Sequence, residues 1–97
     1  MAGMDEILET LRQVKPELVK AFKVSEIGVF GSVIRGEQRE ESDIDILVDL
    51  EEEADLLDLI GLGQFLEERL HHKVDVVPTR ALRQEIRDRV LNEVRYL

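Results

Sequence analysis

Two aspartates, Asp43 and Asp45, stand two positions apart in the run Ser42-Asp43-Ile44-Asp45-Ile46-Leu47-Val48-Asp49-Leu50. The run alternates. Ile44, Ile46, Val48 and Leu50 fall on one side, and Asp43, Asp45, Leu47 and Asp49 on the other, as in a β-strand with one apolar face. On such a strand residues i and i+2 point the same way, with Cα atoms about 6.5–7 Å apart. Both carboxylates can then reach a cation placed between them. Mg²⁺ takes hard oxygen ligands, commonly one or two carboxylates completed by substrate phosphates. Without a cation the two acids repel, and any burial adds a desolvation cost. Ile44, Ile46 and Val48 would anchor the strand in a core and make it a rigid platform. A D-x-D pair alone is better explained by two exposed acids on the wet side of an amphipathic strand.

A third acid, Asp75, lies in a second short β-branched run, Lys73-Val74-Asp75-Val76-Val77. If that run pairs beside Asp43–Leu50, the three carboxylates can converge. Taken alone, Asp75 is as well explained as an edge-strand acid facing water. Gly31-Ser32 directly follows the β-rich segment Ile27–Phe30. A small-residue turn there lets backbone N–H groups approach a phosphate, and Ser32 adds a hydroxyl donor. Arg35 could neutralise a polyphosphate. Each of these signals is weak by itself, since Gly-Ser is an ordinary turn and Arg35 an ordinary surface residue.

Other residues carry less. His71-His72 ends a helix, where a cation suits the helix dipole, but lacks the spaced partners of a metal site. Arg80, Arg83, Arg87 and Arg89 are expected to pair with Glu85, Asp88 and nearby acids on an exposed helix. Aromatic residues make up only 4% of the chain, so recognition of a nucleobase by stacking is not expected, and Phe30 reads as core.

The elements that must position these residues follow from periodicity. Residues 5–22 are helical by the spacing of Ile7, Leu8, Leu11, Val14, Leu18 and Phe22. Pro16 interrupts the pattern, so the helix is expected to end near Val14 or to kink, with Pro16 opening a second short helix. Strands follow at Ile27–Phe30 and Asp43–Leu50, then an acidic turn at Glu51–Glu53. Asp55 caps a helix reaching about Leu70, with Leu59, Leu62, Leu66 and Leu70 as its buried stripe. Gly61 and Gly63 weaken this helix and suggest close packing. Lys73–Val77 forms a strand stopped by Pro78. Thr79 is expected to cap a last helix with Leu82, Ile86 and Val90 as its stripe. Tyr96 and Leu97 add a short terminal strand. The order helix, strand, strand, helix, strand, helix indicates an α+β (α/β-like) domain, a small mixed β-sheet backed by helices.

The chain has 97 residues, the size of one compact domain spanning 1–97. There is no cysteine, hence no disulfide framework and no thiolate nucleophile or ligand. No apolar stretch approaches the ~18 residues of a membrane helix and no signal peptide opens the chain, so a soluble cytoplasmic protein is expected. The formal net charge of −9 argues against stable nucleic-acid binding, which rewards basic surfaces. It suits a cation site or a basic protein partner without selecting either.

Taken together, Gly31-Ser32-Val33-Ile34-Arg35-Gly36-Glu37 followed by Ser42-Asp43-Ile44-Asp45 resembles the G-S-x-x-R-G-E…S-D-x-D signature of the DNA polymerase β-like nucleotidyltransferases. More narrowly it resembles their minimal branch. Val74-Asp75-Val76-Val77 matches that family's third-carboxylate strand, and Leu82 through Val94 its closing helix. The resemblance runs from about Ile27 to the end of the chain.

The resemblance implies the nucleotidyltransferase fold and a set of roles. Gly31 and Ser32 would hold the triphosphate of ATP. Asp43 and Asp45 would bind both of two Mg²⁺ ions, with Mn²⁺ as a substitute. Asp75 would complete the metal site and help deprotonate the acceptor hydroxyl. Arg35 would support phosphate or the acceptor side, and Glu37 would orient Arg35. It also implies a partner. Minimal nucleotidyltransferases are commonly paired with HEPN-domain proteins in toxin–antitoxin modules, where they add AMP to a tyrosine of the HEPN ribonuclease. The catalytic core uses nearly the whole chain, so the acceptor surface is expected from another chain, a second copy or a partner. Two alternatives stay open at this level: a catalytically silent module that masks a HEPN ribonuclease stoichiometrically, and transfer to a small molecule.

Overall fold

The computed structural model describes residues 3–37, 39 and 41–97. A long helix α1 (Met4–Phe22) leads into strand β1 (Val24–Phe30), a single helical turn α2 (Ser32–Arg35) and strand β2 (Ile44–Leu50). Helix α3 (Leu56–Leu70), strand β3 (Val74–Pro78), a 3₁₀ turn at Thr79–Ala81, helix α4 (Gln84–Glu93) and a two-residue strand β4 (Arg95–Tyr96) complete the chain. The strands form one mixed sheet in the order β3-β2-β1-β4. β1 runs antiparallel to both β2 and β4, and β2 and β3 are parallel. The parallel pair requires a crossover, and α3 supplies it.

The main core lies between one face of the sheet and helices α1 and α3. Ile7, Leu11 and Leu18 of α1 and Leu62 and Leu66 of α3 meet Ile27, Val29, Ile46 and Val48 there, all fully buried. α1 is unbroken through Pro16, contrary to the expectation of a stop or a second helix. The reason is energetic. An internal proline costs about 3 kcal/mol. The helix sets against this the burial of Ile7, Leu8, Leu11, Val14 and Leu18, each stabilising by roughly 1.5–3 kcal/mol. Pro16 itself faces solvent, where water can bond the carbonyl left without a partner.

α3 begins as expected. The Asp55 carboxylate accepts from the Asp58 N–H at 3.0 Å and Asp58 accepts from the Asp55 N–H at 3.0 Å, a reciprocal capping box. Gly61 does mark close packing: a Cβ there would lie 3.1 Å from the Phe22 ring, whereas at Gly63 it would make ordinary contact.

Thr79 does not cap the last helix. Its hydroxyl donates to the Val48 carbonyl at 3.1 Å, tying the end of β3 to β2, and α4 starts only after Arg83. On α4 Val90 is fully buried, Leu82 just before it is nearly so, and Ile86 is partly exposed. The expected ion pairs along this segment are also absent among the described residues: none of Arg80, Arg83, Arg87 or Arg89 lies within 4.0 Å of an acid.

A second, smaller core covers part of the opposite face of the sheet. Phe30, Leu47, Leu82 and Val90 are its buried residues, with Val77 and Val94 against them. β2 is therefore not apolar on one side only. Leu47, on the acidic side by periodicity, is fully buried because α4 crosses over it. Among the described residues no helix is long and apolar enough to cross a membrane.

Candidate active site

The register of the sheet places the acids. Asp45 sits opposite Phe30 of β1 on one side and opposite Asp75 of β3 on the other. In-register neighbours share a face, so Asp45 and Asp75 project together. Asp43 lies two residues ahead of Asp45 at the mouth of β2. All three stand on the face carrying the small core, just beyond the part that α4 covers. Asp43 and Asp75 are exposed and Asp45 is half-buried.

Asp45 records this setting in its proton affinity. Its carboxyl is pushed up to about 6, first by burial and then by the negative charges of Asp75 and Asp43, with Arg35 acting in the opposite sense. The cluster is thus close enough to repel itself and lacks enough positive charge to offset that repulsion. Hard oxygen donors in mutual repulsion suit a divalent cation. The arrangement is open rather than a cage: among the described residues no three His, Asp or Glu side chains are gathered tightly enough to hold a metal by themselves. Ligands from a substrate and water would have to complete the shell, which is how Mg²⁺ is usually bound beside phosphates.

The turn after β1 is shaped around Asp45. Gly31 has φ 81° and ψ −148°, a conformation reserved for glycine. A Cβ at this position would collide with the Asp45 carboxylate. Gly31 thus lets the chain turn directly against the acid and places Ser32 at the start of α2. Gly36, with φ 73°, closes that single turn in the left-handed region. The two glycines of the G-S-x-x-R-G segment therefore bracket one helical turn that presents Ser32 at one end and Arg35 at the other.

Arg35 is engaged on two sides. Its Nε donates to Glu37 at 3.0 Å, as expected, and its Nη1 donates to the two oxygens of Glu93 at 3.2 and 3.1 Å. Glu93 also accepts from the Gly31 N–H at 2.7 Å. The Gly31 N–H and the Arg35 guanidinium, both read from the sequence as phosphate ligands, are thus joined through one carboxylate. Ser32 Oγ makes no hydrogen bond among the described residues.

Two features were missed by sequence reasoning. Glu93 is one. It ends α4, where a negative charge opposes the helix dipole, and that mismatch was the available signal. The other is a cavity of about 370 Å³ beside Asp43, lined by Glu41, Asp43, His72 and Lys73. This is near the small end of ligand-binding pockets. Lys73 could have been found by parity, because it precedes Asp75 by two residues and so falls on the same side of the strand. His72 holds its ring against the Lys73 carbonyl at 2.9 Å.

Known proteins resemble this chain in sequence and fold. The nucleotidyltransferase domain family matches residues 11–97. The protein adenylyltransferase MntA of Thermococcus cleftensis is 47% identical over 97 residues, covering 100% of this chain and 98% of that one. A solved structure described as a minimal nucleotidyltransferase superposes with a TM-score of 0.81 at 41% identity, covering 95% of this chain and 94% of the other. A crystal structure of a toxin–antitoxin with AMP-PNP matches with a TM-score of 0.67 at 29% identity, covering 95% of this chain and 69% of the other. A glycine turn fitted against an aspartate, two more acids on the same sheet face, and likeness along the full length make this chain a member of the nucleotidyltransferase family, in its minimal branch.

Proposed function

We propose that this nucleotidyltransferase transfers AMP from ATP to a tyrosine hydroxyl of a HEPN-domain ribonuclease, and so acts as the antitoxin of a two-protein pair. The observation that carries the reading is the juxtaposition of Asp43, Asp45 and Asp75 with the Gly31–Ser32 turn on one open sheet face. The AMP donor and the protein acceptor are supported by the adenylyltransferase relative, and the antitoxin role by the toxin–antitoxin neighbour. The HEPN partner and the tyrosine come from the family resemblance.

In this reading Ser32 Oγ and the backbone of the turn hold the triphosphate, and Asp43, Asp45 and Asp75 hold two Mg²⁺ ions, which Mn²⁺ can replace. Bound there, such ions would supply positive charge to offset the negative charge that develops at the reacting phosphate. Asp75 accepts the proton of the acceptor hydroxyl. The hydroxyl oxygen bonds to the α-phosphorus of ATP, the bond to the β-phosphate oxygen breaks, and pyrophosphate leaves. The open face leaves room for the acceptor to approach from a separate protein. Much of the rate comes from holding the reactants in line. Arg35 supports this arrangement at one remove, because its donors are engaged by Glu37 and Glu93.

The test mixes the protein with ATP, Mg²⁺ and the HEPN-type product of an adjacent gene, and weighs the partner by mass spectrometry. A gain of one or more AMP units, lost with Asp43→Asn and with EDTA, is the expected result. A partner inhibited without modification, equally well by wild type and Asp43→Asn, would replace the enzyme with a masking protein.

A further inference from the structure

Glu93 adds only a minor share of the negative charge that raises Asp45 and takes no part in the proposed acceptor chemistry, yet its carboxylate accepts more hydrogen bonds than that of any other described acid. It reaches back 62 residues in sequence to accept the Gly31 N–H at 2.7 Å. Both of its oxygens also accept from Arg35 Nη1. Its side chain is only 15% exposed, against 38% for Arg35. A carboxylate held that far from water is costly unless its oxygens are bonded, and here they are. Two readings of the contact have opposite consequences. Glu93 could occupy a phosphate subsite and compete with nucleotide. Alternatively, it could fasten the turn that presents Ser32.

The geometry points to the second: we propose that Glu93 is a positioning residue that fixes the Gly31 peptide and so holds Ser32 in place to bind the nucleotide's phosphates. Three observations support this. Gly31 is free to adopt many backbone conformations and lies against Asp45, so a fixed partner for its N–H selects the one orientation that presents Ser32. Arg35 is itself held by Glu37 at 3.0 Å, and so serves as a built-in counter-ion for Glu93 rather than a cation waiting for phosphate. Finally, α4 is anchored on the site's own face by Val90, with Leu82 just before the helix packed in the same cluster, giving Glu93 a rigid base. The proposal rests on the nucleotide-binding reading of the Gly31–Ser32 turn.

The experiment measures Mg²⁺–ATP affinity by calorimetry for wild type, Glu93→Gln and Glu93→Ala, and follows the Gly31 amide proton by NMR. Glu93→Ala is expected to weaken binding by at least about tenfold, the effect of losing a hydrogen bond to a charged group. Glu93→Gln is expected to recover most of that affinity, because its amide oxygen still accepts from Gly31. The Gly31 amide resonance should move upfield in Glu93→Ala and stay nearly unchanged in Glu93→Gln. Tighter binding by Glu93→Ala would overturn the proposal and make Glu93 a competitor of phosphate. Equal weakening by both variants, or unchanged affinity in both, would also overturn it. Failure of the wild type to bind Mg²⁺–ATP would instead strike the nucleotide-binding reading, while the amide shift still reports whether Glu93 holds Gly31.

Discussion

The two faces of β2, with Asp43 at its mouth, have opposite fates. Ile44, Ile46 and Val48 are sealed under α1 and α3, with nothing polar among them. On the other face Leu47 is sealed under α4, but two residues earlier Asp45 is only half-buried and Asp43 is open. The first face accounts for stability. The second is left incompletely covered, and its charge is left uncompensated. A strand can serve both purposes because side chains alternate, so the site inherits the rigidity of the core without being part of it.

Substitutions on the two faces should therefore separate activity from stability. The largest effect is expected from Asp45→Asn. Transfer should fall by a factor on the order of 10³ or more, about 4 kcal/mol in barrier, while the circular dichroism spectrum and cooperative melt persist. Loss of the fold in this variant would mean that Asp45 is structural and would erase the contrast between the faces.

On the opposite face, Ile46→Ala should cost about 2–5 kcal/mol of stability in a denaturant titration, because it opens a cavity at a fully buried position. Activity per folded molecule should be nearly retained. Ser32→Ala comes next. It should weaken Mg²⁺–ATP binding by roughly 1.5–3 kcal/mol in calorimetry, with little change in melting temperature.

The smallest effect is a pH dependence. The Asp45 carboxyl is raised from 3.8 to about 6 in the folded protein. Over that interval the folded state binds the proton more tightly than the unfolded state, so the metal-free protein loses stability as pH rises from about 4 to 6. Solvent screening of a half-exposed group limits the loss to about 1 kcal/mol. Thermal melts should show this slope in wild type and not in Asp45→Asn, and added Mg²⁺ should restore the lost stability near pH 6 and above.

The shared side of Asp43 and Asp45 was legible because strand parity is a local rule, whereas the convergence of Asp75 depended on the pairing of β2 with β3. Two alternating runs, each with an aspartate inside it, predict a shared face once the runs lie side by side, and β2 and β3 do. The extents of β2 and α3 followed closely from the same patterning, while the terminal strand lies at Arg95–Tyr96, one residue earlier than the expected Tyr96 and Leu97. What escaped depended on contacts between distant segments. Pro16 looked like a break because the gain from burying α1 against the sheet is invisible in a local window. Leu47 looked exposed because nothing in β2 shows that α4 will cross it. Thr79 has the residue type of a helix cap, but its hydroxyl is taken by Val48 instead. Glu93 was hidden for the same reason, since the group it holds lies at the other end of the domain's sequence.

The absence of a side chain at position 31 has a practical consequence. Because a methyl group there would strike the Asp45 carboxylate, Gly31→Ala displaces one acid while leaving every charge in the protein unchanged. Asp→Asn variants, by contrast, alter the surface potential that the proposed protein partner meets, so a defect in them mixes lost chemistry with altered docking. Gly31→Ala offers an electrostatically silent way to uncouple the two, at a backbone strain of about 1–3 kcal/mol. A partner that still associates with this variant at the wild-type rate but goes unmodified would show that recognition and transfer are separable properties of one small sheet.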